Sequence, residues 1–191
     1  MSDSDPIATH RTATPGAVLD FWFGESSEED WFKKSDAFDA TLRERFAKTH
    51  AAASGGELDG WMDTPDGRLA LLILLDQMSR NLYRDDARAF AQDAKAISIA
   101  RRALAEGDHV GASRDRRLFL YLPFEHSENP ADQALCMALF TALGDDRLTD
   151  FAERHKVIID RFGRFPHRNA VLGRESTAEE IAFLEQPNSS F

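Results

Sequence analysis

Three polar segments of the chain carry residue types that could do chemistry in an otherwise apolar setting. They are LLDQMSRN over residues 74–81, YLPFEHSEN over residues 121–129 and FGRFPHRN over residues 162–169. Carboxylates, imidazoles and guanidiniums recur in these segments, and such groups serve proton transfer and the binding of anions. The sequence therefore places its candidate site where these three segments meet.

The first segment continues the most apolar stretch of the chain. At about 100° per residue, four polar side chains fall within about 140° of one another on a helix: Asp76, Gln77, Arg80 and Asn81. They extend a face that is apolar in the preceding turns, and buried polar groups must be paired or face a cavity. We therefore predict that these four residues bind a ligand. The alternative is an Asp76–Arg80 pair on a solvated helix end, worth only a few tenths of a kcal/mol.

The second segment offers a titratable pair. We expect Pro123 to end a helix at residue 122, because the residue before a proline resists the helical conformation. Glu125 and His126 would then lie in a loop, and they are the candidate catalytic residues. The carboxylates of Glu125 and Glu128 are expected to raise the pKa of His126, which suits proton transfer. Alternatively, both glutamates only favour the positive N-terminus of the next helix.

The third segment belongs to a cationic cluster in an acidic chain: Arg161, Arg164, His167, Arg168 and Arg174. Gly163 and Pro166 interrupt the helix there, so these side chains are expected on an irregular stretch. Guanidiniums bind carboxylates and phosphates in a two-pronged geometry, which predicts an anion pocket that also includes Asn169. Internal pairing with the abundant Asp and Glu residues is the alternative.

The remaining reactive residue types give no motif of their own. His155 lies in the middle of an apolar helical stripe, which is typical of a structural histidine, with a ligand role as the alternative. Cys136 lies inside a predicted helix without a cationic neighbour, so its thiol is expected to be inert. No HExxH motif, phosphate loop or dinucleotide fingerprint occurs, and we expect neither a metal nor a cofactor.

The elements that must position these residues are all predicted to be helices. Capping residues, prolines and glycines delimit helices near residues 15–23, 66–82, 91–106, 114–122, 130–143 and 147–162, and residues 51–60 are predicted to be a loop. Thr177 and Glu180 form a capping box for the last helix. Short loops favour antiparallel neighbours, so we predict an all-α fold of eight or nine helices. We expect these helices to stack as hairpins in a tetratricopeptide-like manner.

Composition limits the class of protein. The chain has 191 residues, of which 42% are hydrophobic, so residues 15–191 are predicted to form one domain, with a disordered or loosely packed segment over residues 1–14. The net charge of −10 argues against nucleic acid or an anionic membrane as a partner. The longest apolar run, Leu69–Leu75, is too short to span a bilayer, and the N-terminus does not resemble a signal peptide. A cytoplasmic location is expected.

Five motifs, in order, carry a resemblance to a known family. They are VLDFWFG (18–24), LLDQMSRN (74–81), YLPFEHSEN (121–129), ERHKVIIDRFGRFPHRN (153–169) and LGRESTAEE (172–180). With them the chain resembles the bacterial domain-of-unknown-function family number 924 over about residues 16–185. The resemblance implies an all-helical, tetratricopeptide-like fold. It implies no activity and no catalytic residue.

Two functions from different classes follow from these residues. The first is a pocket for an anionic metabolite carrying phosphate or carboxylate, in which Arg80, Arg161 and Arg168 clamp the anion. Asp76 and Asn169 would orient the ligand beside the candidate catalytic residues, and both the reaction class and the presence of catalysis stay open. The second is a non-catalytic scaffold that binds a protein or peptide along a groove. Convergence of the three segments favours the first.

Overall fold

Helices make up the regular structure of the protein. The structure, a computed structural model, describes residues 12–190 and contains no β-strand in that range. It has nine helices there: α1 (Pro15–Asp20, continuing as a π-helical turn over Phe21–Glu25), α2 (Glu28–Phe32), α3 (Asp36–Ser54), α4 (Pro65–Leu72, a π-helical turn over Ile73–Met78, then Ser79–Leu82), α5 (Asp93–Ala105), α6 (Arg114–Glu125), α7 (Pro130–Leu143), α8 (Asp146–Phe162) and α9 (Ala178–Leu184). Short 3₁₀ turns cover Asp59–Asp63, Ala87–Ala89 and Pro166–Arg168.

The predicted all-α fold with eight or nine helices is confirmed over this range. Stacking of the tetratricopeptide type stays a prediction. Residues 1–11 of the expected loose N-terminal segment lie outside the described residues. Just after them, the Ala13 amide donates to Thr49 Oγ1 at 2.8 Å, which ties the start of the described chain to α3.

Helix starts and stops follow local sequence signals. The side chains of Thr14 and Asn129 each accept a backbone N–H at the start of α1 and α7, and in both cases a proline follows. Thr177 and Glu180 form the predicted capping box of α9. Gly163 ends α8 with a φ of 69°, a left-handed conformation that glycine adopts without strain. These predictions are confirmed.

The predicted end of a helix before Pro123 is wrong. Helix α6 continues through Pro123 to Glu125, and the His126 amide closes the last turn by donating to the Leu122 carbonyl at 3.0 Å. A proline inside a helix removes its own donor and crowds the carbonyl four residues earlier, and burial of Leu122 and Phe124 in the core offsets this cost. Glu125 therefore lies on a helix rather than in a loop, and His126 caps its end.

The predicted loop over residues 51–60 also begins too early. Helix α3 runs to Ser54, and the chain leaves it at Gly55. Alanines are the strongest helix formers, and Ala52 and Ala53 are buried against the rest of the molecule. Intrinsic propensity and packing together carry the helix past the small residues that suggested a loop.

Helix α4 is the centre of the molecule, as its composition predicts. Every residue of Leu69–Leu75 is at most 1% exposed, and α4 contacts α1, α3, α5 and α6. Its π-helical turn inserts a wider turn before Ser79, which changes the faces on which the following residues lie. Within residues 12–190, none of the helices has the length and apolar character needed to span a bilayer.

A second, smaller core positions the C-terminal third of the chain. It consists of Ile158, Ile159 and Phe165, with Phe162 and Phe183 packed around it. Helices α6, α7 and α8 contact one another in sequence, so this small core lies next to the end of α6. Burial of Phe165 holds the adjoining 3₁₀ turn, Pro166–Arg168, against the molecule.

Candidate functional site

An aspartate–histidine pair joins the first two polar segments. Asp76, in the π-helical turn of α4, has a side chain only 2% exposed, and His126 Nδ1 lies 2.8 Å from Asp76 Oδ1 and 3.0 Å from Oδ2. Gln77 Nε2 donates a further hydrogen bond to Asp76 Oδ2. A carboxylate beside Nδ1 favours the tautomer with its proton on that nitrogen, which leaves the lone pair on Nε2.

The protonation states of this pair suit proton acceptance. Burial works against ionisation of Asp76, but its interactions with His126 and Arg80 and its hydrogen bonds lower its pKa to about 2. Burial lowers the pKa of His126, and the charge of Arg80 adds to this effect while Asp76 opposes it. At pH 7 the carboxyl is therefore ionised and the imidazole is neutral.

The expected upward shift of the His126 pKa is wrong. The two flanking glutamates do not set it, because Glu128 forms an ion pair with Arg174, at 2.7 Å, and the pKa of Glu125 is itself raised. The carboxylate that contacts the imidazole is instead Asp76, and desolvation outweighs its charge. Neighbours in the sequence were therefore a poor guide to neighbours in space.

Two arginines share one carboxylate next to this pair. Arg80 donates to both oxygens of Asp93, from Nη1 at 3.1 Å and Nη2 at 3.2 Å, and Arg168 Nη1 donates to Asp93 Oδ2 at 3.1 Å. Arg80 Nη1 also donates to the Asp76 carbonyl at 2.6 Å and lies 3.4 Å from Asp76 Oδ1. We name the resulting network the central cluster: Asp76, Arg80, Asp93, His126 and Arg168.

Arg168 is buried with incomplete polar compensation. Its side chain is 7% exposed, and its guanidinium carbon lies 4.6 Å from the Phe90 ring centroid and 4.5 Å from that of Phe165. Arg168 Nε is buried without a hydrogen-bond partner. Burial, followed by repulsion from Arg80, lowers the pKa of Arg168 to about 10. The position is costly for a cation and would be relieved by an anion.

Glu125, the other candidate catalytic residue, is a protonated carboxyl at neutral pH. Burial and the negative charge of Asp76 raise its pKa to about 8. Its Oε1 lies 3.6 Å from Nδ1 of His155, which donates to the Phe151 carbonyl at 2.8 Å. The His155 ring centroid is 6.4 Å from that of His126, and burial lowers its pKa to about 3. His155 is therefore a neutral, buried histidine next to Glu125.

Asn81 pairs with α3 and not with the other polar residues of its segment, and its part in ligand binding stays a prediction. Asn81 Nδ2 donates to Asp39 Oδ1 on α3 at 2.8 Å. Arg84 Nη2 donates to the same carboxylate oxygen at 2.9 Å. Asn81 and Arg84, together with Arg43, line a cleft of about 310 Å³. Asn81 follows the π-helical turn Ile73–Met78, so the angle between Asp76 and Asn81 differs from that in a regular α-helix.

Arg161 and Arg164 are not part of the central cluster, and the predicted place of Arg161 in the anion clamp is wrong. Arg161 donates to Glu179 from Nε at 2.9 Å and Nη2 at 2.8 Å, and Arg164 holds both oxygens of Glu180. Helix α9 brings these glutamates to the arginines. For both residues internal pairing, the alternative considered from the sequence, is what the structure contains.

His167 and Asn169 flank Arg168 on either side. Burial, followed by the charge of Arg168, lowers the pKa of His167 to about 4, and its ring centroid lies 5.6 Å from that of Phe165. Asn169 Nδ2 donates to Ser176 Oγ at 3.0 Å. Both side chains therefore contact the protein next to the 3₁₀ turn that carries Arg168.

Asp93 and Phe90 are residues of this site that sequence reasoning missed. Asp93 is 13 positions from Arg80 and 75 positions from Arg168, and its position at the start of a helix is an ordinary one for an aspartate. Neither residue stands in a motif that could have marked it. The packing of α5 against α4 brings Asp93 to Arg80, and the 3₁₀ turn Pro166–Arg168 brings Arg168 to the same carboxylate.

Residues that could hold a metal do not converge within residues 12–190, where no group of three or more His, Cys, Asp or Glu side chains has a suitable arrangement. Cys136 is a free, buried thiol. Burial raises its pKa, which keeps it protonated at neutral pH.

Comparison with known proteins places the chain in a family. No curated protein matches it significantly. The solved structure of the protein of unknown function ATU0120 from Agrobacterium tumefaciens is 42% identical, with a TM-score of 0.85 over 90% of this chain and 96% of that one. The model of the family described as bacterial protein of unknown function (DUF924) matches residues 18–188. The chain therefore belongs to the DUF924 family.

Proposed function

We propose that the central cluster binds a small anionic metabolite carrying a phosphate or carboxylate group, and that Asp76 and His126 act on it as an acid–base pair. The observation that carries this proposal is the sharing of one carboxylate, Asp93, by two guanidiniums directly beside a neutral imidazole. Tetratricopeptide-like stacking and a cytoplasmic location are part of the same proposal.

The charge distribution supports anion binding. Arg80 and Arg168 bring two positive charges, whereas Asp93 is the one carboxylate that both contact closely. Asp76 is ionised as well and lies 3.4 Å from Arg80, so the central cluster holds two positive and two negative charges, and Glu125 is neutral because its pKa is about 8. A protonated Glu125 adds no third negative charge, and Arg168, whose Nε has no hydrogen-bond partner, keeps donor capacity for an anion.

Some members of the central cluster are partly exposed to solvent, whereas Arg168 is buried. The side chains of Arg80, Asp93 and His126 are 21%, 22% and 15% exposed, so a small ligand can reach them from solvent. Arg168 is almost fully enclosed between two aromatic rings. A partly desolvated guanidinium interacts more strongly with an anion than one in water does, because the local dielectric constant is lower.

The chemistry proposed for the pair is proton transfer. With Nδ1 held by Asp76, His126 Nε2 accepts a proton from a ligand or a water molecule, and the ionised Asp76 stabilises the imidazolium that forms. Arg80 contacts both Asp76 and Asp93, so it links the acid–base pair to the anion position. Glu125 contacts His155 rather than His126, and its catalytic role stays a prediction.

A thermal-shift screen against phosphorylated and carboxylated metabolites tests this function. A ligand at 100 times its dissociation constant stabilises the folded protein by about 2.7 kcal/mol, which is readily measured as a rise in Tm. We expect the shift to be lost in Arg168→Gln and kept in Arg161→Gln, a control that removes an exposed arginine from the same segment. A shift that survives in Arg168→Gln, or no shift with any anion, would contradict the proposal.

The acid–base part needs its own test on the ligands found. His126→Asn can still donate to Asp76 but has no group that accepts a proton at neutral pH. We expect this variant to keep the anion-induced shift and to lose turnover followed by NMR. Equal turnover in His126→Asn and the wild type would remove His126 from the mechanism. Stabilisation by acidic peptides alone would favour the scaffold alternative.

A further inference from the structure

The position of Asp93 between two guanidiniums resembles that of a bound ligand. Arg80 meets it with two nitrogens and Arg168 with one, so three N–H groups converge on the two oxygens of one carboxylate. Asp93 is the first residue of α5, and the residue before it makes no side-chain cap. The carboxylate is partly exposed, whereas Arg168 beneath it is not.

The contacts of Asp93 are looser than those of a buried ion pair elsewhere in the protein. Its three distances to the arginines are 3.1, 3.2 and 3.1 Å, whereas Arg68 holds both oxygens of Asp108 at 2.6 Å. Bonds between charged nitrogen and oxygen are usually about 2.7–2.9 Å. Sharing between two arginines on separate elements leaves neither of them with close two-pronged contacts.

Unused donor capacity remains at the same place. Arg168 Nε is buried and has no hydrogen-bond partner, although the side chain is 7% exposed. A carboxylate fixed to α5 approaches Arg168 from one direction, and it reaches a single nitrogen, Nη1. A free oxyanion has no such tether and can choose an approach that engages more of the guanidinium.

We propose that Asp93 is an internal occupant of the anion subsite, and that a ligand oxyanion with two free oxygens, a carboxylate or a phosphate, displaces it from between Arg80 and Arg168. This inference rests on the proposed function. It adds that Asp93 occupies the anion subsite when no ligand is bound. The side chain of Asp93 turns toward solvent as the ligand enters. The ligand can bind only when Asp93 is displaced. Its apparent affinity is therefore the intrinsic affinity multiplied by the fraction of molecules in which Asp93 is already displaced.

Removal of the Asp93 charge tests the displacement. In Asp93→Asn we expect the apparent Kd for inorganic phosphate and for acetate, measured by thermal shift at constant ionic strength, to fall by about tenfold or more. Asp86→Asn is the matched control, because it removes one negative charge from an exposed pair with Arg88 seven positions earlier. We expect it to change the Kd less than twofold. The two anions, assayed separately, distinguish a phosphate from a carboxylate ligand.

The outcomes separate this inference from the proposed function. Weaker or unchanged anion binding in Asp93→Asn, with binding intact in the wild type, would overturn the displacement and leave the anion site in place. No binding to either protein would overturn both. Asp93→Ser, whose side chain is shorter, provides a second variant if the asparagine variant folds poorly by circular dichroism, and it is expected to bind both anions more tightly as well.

Discussion

Two buried arginines of this protein have opposite surroundings. The side chains of Arg68 and Arg168 are 5% and 7% exposed, so burial does not distinguish them. Arg68 holds both oxygens of Asp108 at 2.6 Å and donates to the Met62 carbonyl at 2.7 Å. Arg168 has a single contact with Asp93, which it shares with a second arginine. Arg68 therefore has a carboxylate of its own, whereas Arg168 shares one and has a buried Nε without a hydrogen-bond partner.

The local backbone explains why Arg68 is so well satisfied. A Cβ on Gly67 would lie 2.0 Å from the Trp61 carbonyl oxygen, so only glycine lets the 3₁₀ turn Asp59–Asp63 approach the start of α4 this closely. That approach delivers the Met62 carbonyl to Arg68. Arg168 lies instead on a short turn, between aromatic rings that supply no hydrogen-bond acceptor.

The largest effect is expected at the structural pair. Arg68→Met keeps most of the side-chain volume but leaves Asp108 buried without its partner, which costs about 3–5 kcal/mol of the free energy of unfolding. Urea unfolding followed by circular dichroism measures the loss. A loss below about 1 kcal/mol would place Arg68 in the same class as Arg168 and would break the comparison.

The free energy of unfolding is expected to depend on pH through Glu125, next to the central cluster. The pKa of Glu125 is raised from 4.5 to about 8, so the folded state keeps a proton that the unfolded state has lost. The contribution of Glu125 to stability is complete below about pH 4.5 and is lost as pH rises through about 8. As pH rises from about 4.5 to about 8, the free energy of unfolding of Glu125→Gln should therefore increase relative to that of the wild type by up to about 3–5 kcal/mol.

Urea unfolding of both proteins at pH 5, 6, 7 and 8 measures this difference. Comparing the variant with the wild type removes the contributions of His126 and His155, whose lowered pKa values act in the opposite direction as pH falls. A difference that stays constant from pH 5 to 8 would mean that Glu125 is ionised throughout, and that the site carries one more negative charge than proposed.

A much smaller effect on stability is expected at Arg168. Arg168→Met removes a buried guanidinium that burial and Arg80 already disfavour, while Asp93 keeps its contacts with Arg80. We expect the free energy of unfolding to stay within about 1 kcal/mol of the wild type or to rise, as is common at functional sites. A loss equal to that of Arg68→Met would identify Arg168 as part of a structural network.

The smallest effect is expected at the exposed pair of Arg161 and Glu179. Their side chains are 45% and 63% exposed, and solvent screens such pairs strongly. Arg161→Ala should change the free energy of unfolding by less than about 0.5 kcal/mol, measured by the same urea titration. A larger loss would show that the contacts of the Arg161 guanidinium with the rings of Phe162 and Phe183 contribute more than its ion pair with Glu179.

Local sequence signals are sufficient to predict the helical architecture. Thr14, Asn129 and Thr177 cap their helices with side-chain hydrogen bonds that reach only two or three residues, so the local sequence contains the whole interaction. The apolar run Leu69–Leu75 likewise marks the central helix, because a helix that is apolar all round must be surrounded. The sequence also identified Asp76, Arg80, His126 and Arg168 as candidate site residues, because polar side chains next to buried apolar ones need partners.

The partners of these residues depend on contacts between segments that are far apart in the chain. Asp76 pairs with His126 across 50 positions, Glu128 pairs with Arg174 across 46, and Asp93 joins Arg168 across 75. Any of the many acidic residues has the charge to pair with any arginine, and the choice depends on which helices pack together. Hydrophobic burial makes that choice, because it is the dominant favourable term in folding and brings the charged groups to their final distances.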